Sequence, residues 1–257
     1  MIVDYHMHLR DSEERVVHTL ETVERFVETA AARGVDEIGF TEHVYYFRQT
    51  RPVWTLEYQT ERCVYDLDAY VDSVLEAKRQ GFPVKLGLEV DYLGALQDEL
   101  AALLGPYPWD YLLGSVHWID GLAVDQAPGI WAHAAVEDVW RAYFAAVAEL
   151  AASGHVDVLA HPDLVKIFRR WPDRVHYPEL DGVALEISSA GLHKPVGELY
   201  PAAALLAARP PITLASDAHV PDRVGRDLHL AVERARAAGY ETVTVFEERR
   251  ARQEPLG

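Results

Sequence analysis

The residues with the most chemical content are histidines and carboxylates that close short apolar runs. Met1-Ile2-Val3-Asp4-Tyr5-His6-Met7-His8 reads as a short buried strand, and a strand's period of two sends His6 and His8 to the same side, where their imidazoles converge. Alone, such a pair equally describes a polar surface strand or two hydrogen-bonded histidines. The ending recurs, however, in Ile38 to His43, Leu112 to His117, Val158 to His161 and Thr213 to His219, the last also carrying Asp217, while Val84 to Glu89 ends in a carboxylate. Mixed imidazole and carboxylate ligands suit zinc, manganese or iron and give no ground to choose among them. Divalent ions in such a cluster supply hydroxide as a nucleophile, so no serine or cysteine nucleophile is required.

The ligands meet only if the elements carrying them bring their ends together. Ser12-Glu13-Glu14 followed by Val16, Leu20, Val23, Phe26 and Ala30 predicts a helix with an acidic first turn, and Arg33-Gly34 closes it before a strand over Glu37 to Thr41. A long aromatic and charged stretch after His43 runs to Asp66, more than a turn requires, as for a loop that shapes a site. Helices are expected over Leu67 to Gln80, near Ala95 to Leu104 and from about Ala134 to Ala152. Between His161 and the strand Val183 to Ile187, residues Arg170 to Pro178 lack helical periodicity, so the expected helix there is missing or very short. This βαβα alternation favours a parallel sheet. About seven strand ends result, with Thr242 to Phe246 a possible eighth, and only a closed barrel sets all of them on one rim.

Composition bounds the function. At 257 residues and 49% hydrophobic content the chain suits one large domain over 1–257. A net charge of −17, from 41 acidic and 24 basic residues, argues against nucleic acid and anionic membrane as partners. Cys63 is the only cysteine, no run approaches the roughly 20 apolar residues of a membrane span, and the opening residues lack a signal-peptide pattern, so the expected location is the cytoplasm.

Asp4-x-His6-x-His8, Thr41-Glu42-His43, Gly87-Leu88-Glu89, Gly114-Ser115-Val116-His117, Ala160-His161-Pro162-Asp163 and Ser216-Asp217-Ala218-His219 resemble, in order, the motifs of the PHP (polymerase and histidinol phosphatase) superfamily. Tyr111-x-x-Gly114-Ser115-Val116-His117, Ser189-Ala190-Gly191-Leu192-x-Lys194-Pro195 and Glu198-x-Tyr200-Pro201 are similar to its histidinol-phosphate phosphatase branch. The resemblance spans nearly the whole chain and implies an α/β fold, a distorted (β/α)7 TIM-like barrel, with two to three divalent ions (Zn, Mn or Fe).

Carried over, it implies one ion on His6, His8, Glu89 and Asp217, with Glu89 bridging to a second on His117 and His161. A third would take His43, His219 and a residue of the loop after His8, where Glu13 or Glu14 stands in place of a histidine found in many relatives. Glu42, and with it Asp4, is expected to orient a ligand imidazole. Lys166 matches a basic position of the branch and, with Arg48, would complete a phosphate clamp, while His193 is a candidate proton donor or substrate contact. Glu89, Asp217 and Lys166 are the expected catalytic set. An amine and an imidazole in the substrate would call for acidic and aromatic walls, for which Tyr45, Tyr46, Trp54, Trp118, Asp120 and Trp131 are candidates. The implied activity is hydrolysis of a small phosphate ester, L-histidinol phosphate, in histidine biosynthesis. Ligands alone leave open another PHP phosphoesterase, for a nucleotide or phosphotyrosyl substrate, and a metal-binding protein without turnover. Oligomeric state is not legible.

Overall fold

A computed structural model of the protein describes residues 1–12 and 14–257. Its architecture is mixed α/β, with parallel strands in two sheets. One sheet orders Val3–Asp4, Glu37–Phe40 and Val84–Leu86; the other orders Ile212–Ala215, Ala184–Ser188, Val158–Leu159, Leu113–Ser115 and Glu89–Asp91. Every pairing within them is parallel. In place of one closed sheet there are thus separate sheets, and the reasons are local. The run from Val84 to Asp91 leaves the first sheet at Gly87-Leu88 and joins the second, with Gly87 N donating to Phe40 O at 2.9 Å and Leu113 N to Leu88 O at 2.9 Å. At the other edge Tyr5 N donates to Leu214 O at 2.9 Å. There the Asp4 carboxylate accepts from Ser216 N at 2.8 Å and Gly225 N at 2.8 Å, so a side chain takes donors a strand ladder would use.

Part of the interior is filled by stacked rings. Tyr5 stacks on Tyr111 with centroids 5.0 Å apart, Tyr111 stacks on Phe246 at 5.6 Å, and Tyr111 Oη donates to Tyr5 O at 2.7 Å. Gly39 makes room for this, since a Cβ there would sit 2.0 Å from Tyr111 Oη. Phe246 belongs to Thr242–Glu247, which pairs antiparallel with Arg250–Pro255 rather than forming an eighth parallel strand.

Two helical expectations are corrected. The first helix spans Leu20–Ala32, because Thr19 rather than Ser12 caps it, its hydroxyl accepting from Thr22 N at 3.3 Å. Arg10–Ser12 and Arg15–Val16 pair instead as an antiparallel hairpin, and His18 precedes the helix. Leu67–Arg79, Gln97–Leu104 and Val136–Ala152 fall where periodicity places them. Between Val158–Leu159 and Ala184–Ser188 the described residues hold only a 3₁₀ turn, Leu164–Lys166, in agreement with the sequence. The next crossover, however, also breaks the alternation, being built from the 3₁₀ turns Ala190–His193 and Ala203–Leu206. No helix among the described residues is long and apolar enough to cross a membrane.

Candidate metal centre

The polar strand ends do converge. Glu89 Oε1 lies 3.2 Å from His161 Nε2, 3.5 Å from His6 Nε2 and 3.6 Å from His117 Nε2, while its Oε2 lies 2.6 Å from His43 Nδ1 and 3.8 Å from His8 Nε2. Asp217 Oδ1 stands 3.5 Å from His8 Nε2, 3.7 Å from His6 Nε2 and 3.5 Å from His219 Nδ1. Two of these positions hold left-handed backbone in residues other than glycine, His161 at φ 28° and Asp217 at φ 53°. Such strain costs on the order of 1–3 kcal/mol each and persists where surrounding structure imposes it.

The far nitrogens are pinned by carboxylates. His6 Nδ1 contacts Glu186 Oε2 at 2.7 Å, His8 Nδ1 contacts Glu42 Oε1 at 3.1 Å, and His117 Nδ1 contacts Asp91 Oδ1 at 2.6 Å. The near atoms His6 Nε2, His8 Nε2 and Glu89 Oε2 are buried with no hydrogen-bond partner among the described residues, and His43 Nδ1 approaches Glu89 without hydrogen-bond geometry. One ring nitrogen fixed by an acid and the other bare toward a shared point is what a metal-ligating imidazole needs. Three groups of described residues bring ligand atoms within 4.8 Å of one another: His8, His43 and His219; His6, Glu89 and His161; His6, His8 and Asp217. The residues therefore fit divalent ions.

Charge in the cluster is polarised. Burial would raise Glu89, but His43, His6 and His117 outweigh it and hold the carboxyl well below its usual range. Burial would likewise lower His117, yet Asp91 and Glu89 lift it to about 10. His43 is pushed down to about 4 by burial and by His8, whose ring centroid is 4.2 Å away. Three imidazoles as close as His8, His43 and His219 cannot all carry protons, whereas as neutral ligands they can share a cation.

Several expected roles fall elsewhere. Lys166 is fully buried, with Nζ 3.0 Å from Asp163 Oδ2 and donating to Leu199 O at 2.8 Å, because a buried ammonium needs its own partners. Arg48 is exposed and donates to Asp66 Oδ2 at 2.8 Å. His193 pairs with Asp227 Oδ2 at 2.7 Å. None of these three lines the cavity of about 360 Å³ that opens onto the cluster. Glu14 is exposed beside the hairpin turn, Glu13 lies outside the described residues, and Asp11 Oδ2 accepts from Arg15. Glu42 does hold His8, but Asp4 serves Ser216 and Gly225 instead of an imidazole.

The cavity is also lined by Arg10 and Asp125, which sequence reasoning missed, and by Lys194 and Tyr200, which it quoted within motifs without assigning a role. Arg10 sits two residues beyond His8 and Lys194 directly after His193, so basic character beside a strand end was a usable signal. Glu186 lies inside the strand Ala184–Ser188, and Asp91 follows Glu89 at the strand period; both could have been read as imidazole holders. Of the expected walls, Tyr45, Tyr46 and Trp118 line the cavity. Asp120 lines a separate cavity of about 470 Å³, while Trp131 donates its Nε1–H to Val124 O.

A family model described as "PHP domain" matches residues 4–190. The chain is 33% identical over 245 residues to a protein of Deinococcus radiodurans named "Probable histidinol-phosphatase", with 88% of this chain and 91% of the relative covered. It is 24% identical over 267 residues to the histidinol-phosphatase of Lactococcus lactis, covering 95% and 94%. The crystal structure of histidinol phosphate phosphatase from Lactococcus lactis, complexed with Zn, L-histidinol and phosphate, matches with a TM-score of 0.72 at 22% identity over 98% of each chain. That likeness establishes a shared fold.

Proposed function

The chain belongs to the PHP domain family, and on that premise we propose that it is a histidinol-phosphatase, a metal-dependent phosphomonoesterase that hydrolyses L-histidinol phosphate to L-histidinol and phosphate in histidine biosynthesis. The observation that carries this reading is the gathering of bare imidazole nitrogens around the buried Glu89 carboxylate, on the floor of a cavity that also holds Arg10 and Lys194. The names of the curated relatives supply the substrate.

His6, His8, His43, Glu89, His117, His161, Asp217 and His219 would hold two to three divalent ions of the zinc, manganese or iron class. When bound, these supply a hydroxide nucleophile near neutral pH and neutralise charge on the phosphoryl group. Glu42, Glu186 and Asp91 keep the rings turned inward, and the basic side chains of Arg10 and Lys194 receive phosphoryl oxygens.

The whole chain is proposed to act as one domain in which the two parallel sheets form a distorted (β/α)7 barrel. Hydrogen bonds across both junctions support it: Tyr5 N to Leu214 O at 2.9 Å on one side and Glu89 N to Glu42 O at 3.0 Å on the other. The net charge of −17 favours a small-molecule substrate in the cytoplasm over nucleic acid or membrane.

The test is a panel of phosphate esters offered to the metal-loaded full chain. kcat/KM for histidinol phosphate is expected to exceed that for a plain aryl phosphate by at least about 10²-fold, equivalent to roughly 3 kcal/mol. Comparable values would reject the histidinol assignment and leave a generic phosphoesterase.

A further inference from the structure

Among the acids that face the cluster, Asp125 is the one without a task. Glu42, Glu186 and Asp91 each hold an imidazole, but Asp125 Oδ1 is buried and has no hydrogen-bond partner among the described residues. Leaving a buried acceptor unpaired is costly, so such a group in a binding cavity marks a place where a donor is expected to arrive.

The position is tethered. Val124 N donates to His117 O at 2.8 Å, and Val124 O accepts from the buried Trp131 Nε1 at 2.8 Å. Gly129, at φ +43°, lets the chain double back, since a Cβ there would lie 2.2 Å from Ala123 O. A carboxylate fixed next to the chain of His117 is presented to a ligand with little ordering left to do.

Charge around the cavity is also segregated. Arg10 follows Val3–Asp4 and Lys194 follows Ala184–Ser188, and these two strands flank Ile212–Ala215. Asp125 follows Leu113–Ser115, two places beyond Ala184–Ser188 in the strand order. Arg62, the other basic group of the lining, is held over the Tyr58 ring at 3.6 Å, so a ligand suited to these walls carries both an anionic and a cationic group, with Tyr45 and Trp118 also lining the cavity. Resting on the function read above and deepening it, we propose that Asp125 is the specificity residue that takes the substrate's ammonium group, so that the cavity selects phosphate monoesters of amino alcohols.

The experiment compares L-histidinol phosphate with its deamino analogue, 3-(imidazol-4-yl)propyl phosphate, on the metal-loaded wild type and on Asp125→Asn. The substitution keeps the shape of the side chain and removes the charge. Wild type is expected to prefer the amine-bearing ester, and in the variant the ratio of the two kcat/KM values should fall by about 10²-fold, in the range for unpairing a desolvated charge. Calorimetric titration with L-histidinol should show the same weakening, while titration with inorganic phosphate should not. If wild type prefers the amine and the variant keeps that preference, the function stands and Asp125 is not the reader. If wild type turns over neither imidazole ester, the functional reading fails first and takes this one with it.

Discussion

Lys166 Nζ lies 3.0 Å from Asp163 Oδ2 with both side chains shut off from solvent. The ammonium also donates to Leu199 O, and the carboxylate accepts from Ala202 N at 2.7 Å, so the pair ties the loop after His161 to the segment around Tyr200. Burial raises the Asp163 carboxyl, and Lys166 draws it back down. Lys166→Ala should therefore act on stability, lowering unfolding free energy by about 3–5 kcal/mol in a urea titration. Lys166→Met combined with Asp163→Asn should lose less than either change alone, since no charge is left unpaired. Full stability in Lys166→Ala with a selective rise in KM would restore a phosphate-binding role.

Glu89 is the single carboxylate reached by His6, His8, His43, His117 and His161. Glu89→Gln is expected to lower kcat by about 10²–10³-fold, the scale for losing a group that organises charge at the reacting centre. Far-UV circular dichroism should stay unchanged, because the side chain makes no contact outside the cluster that a carboxamide cannot make. Near wild-type turnover would move the centre of the site elsewhere.

Removal of metal should abolish activity and lower Tm together, since ions that bind only the folded state stabilise it by about 2.7 kcal/mol per site at a hundredfold excess over Kd. Elemental analysis is expected to find two to three equivalents per chain. Glu14→Ala should leave that count unchanged because the residue is exposed at the hairpin. An active preparation with no metal is the outcome that sinks the mechanism.

Tyr200 Oη is buried, its residue lines the cavity, and the hydroxyl has no hydrogen-bond partner among the described residues. Tyr200→Phe should leave the urea midpoint unchanged or slightly raised, because an unpaired buried hydroxyl contributes nothing to folding. Turnover should fall by about tenfold on histidinol phosphate and aryl phosphate alike if the hydroxyl meets the ester or phosphoryl oxygens common to both. Equal rates in variant and wild type would show that it faces only water.

The convergence of the histidines was legible because its signal is local: a strand's period of two orients His6 and His8, and repeated polar endings mark the rim. Lys166, Arg48 and His193 were misplaced because each stands past a strand end on a 3₁₀ or irregular segment, where no period tells which way a side chain points. Asp125 was missed for the same reason, lying in a stretch whose path depends on His117 O, Trp131 and Gly129 rather than on its own residues. The start of the first helix slipped because Ser12 and Thr19 are equal candidates as caps by type, and the hairpin pairing of Arg10 with Val16 decided between them. Parallel pairing followed from the alternation of elements, but the division into two sheets involves contacts between residues far apart in the chain, Leu88 with Leu113 at one junction and Asp4 with Ser216 at the other.

The ring stack sets a schedule for synthesis. Tyr5, beside the proposed ligand His6, rests on Tyr111, which rests on Phe246, and the first strand meets its neighbour at Leu214. Until residue 246 has left the ribosome, the first strand has no floor beneath it and His6 and His8 have no Asp217 or His219 to face. A chain that lacks this stack would offer a divalent ion only incomplete groups of imidazoles, so capture of the proposed metals is expected to follow closure of the ring stack.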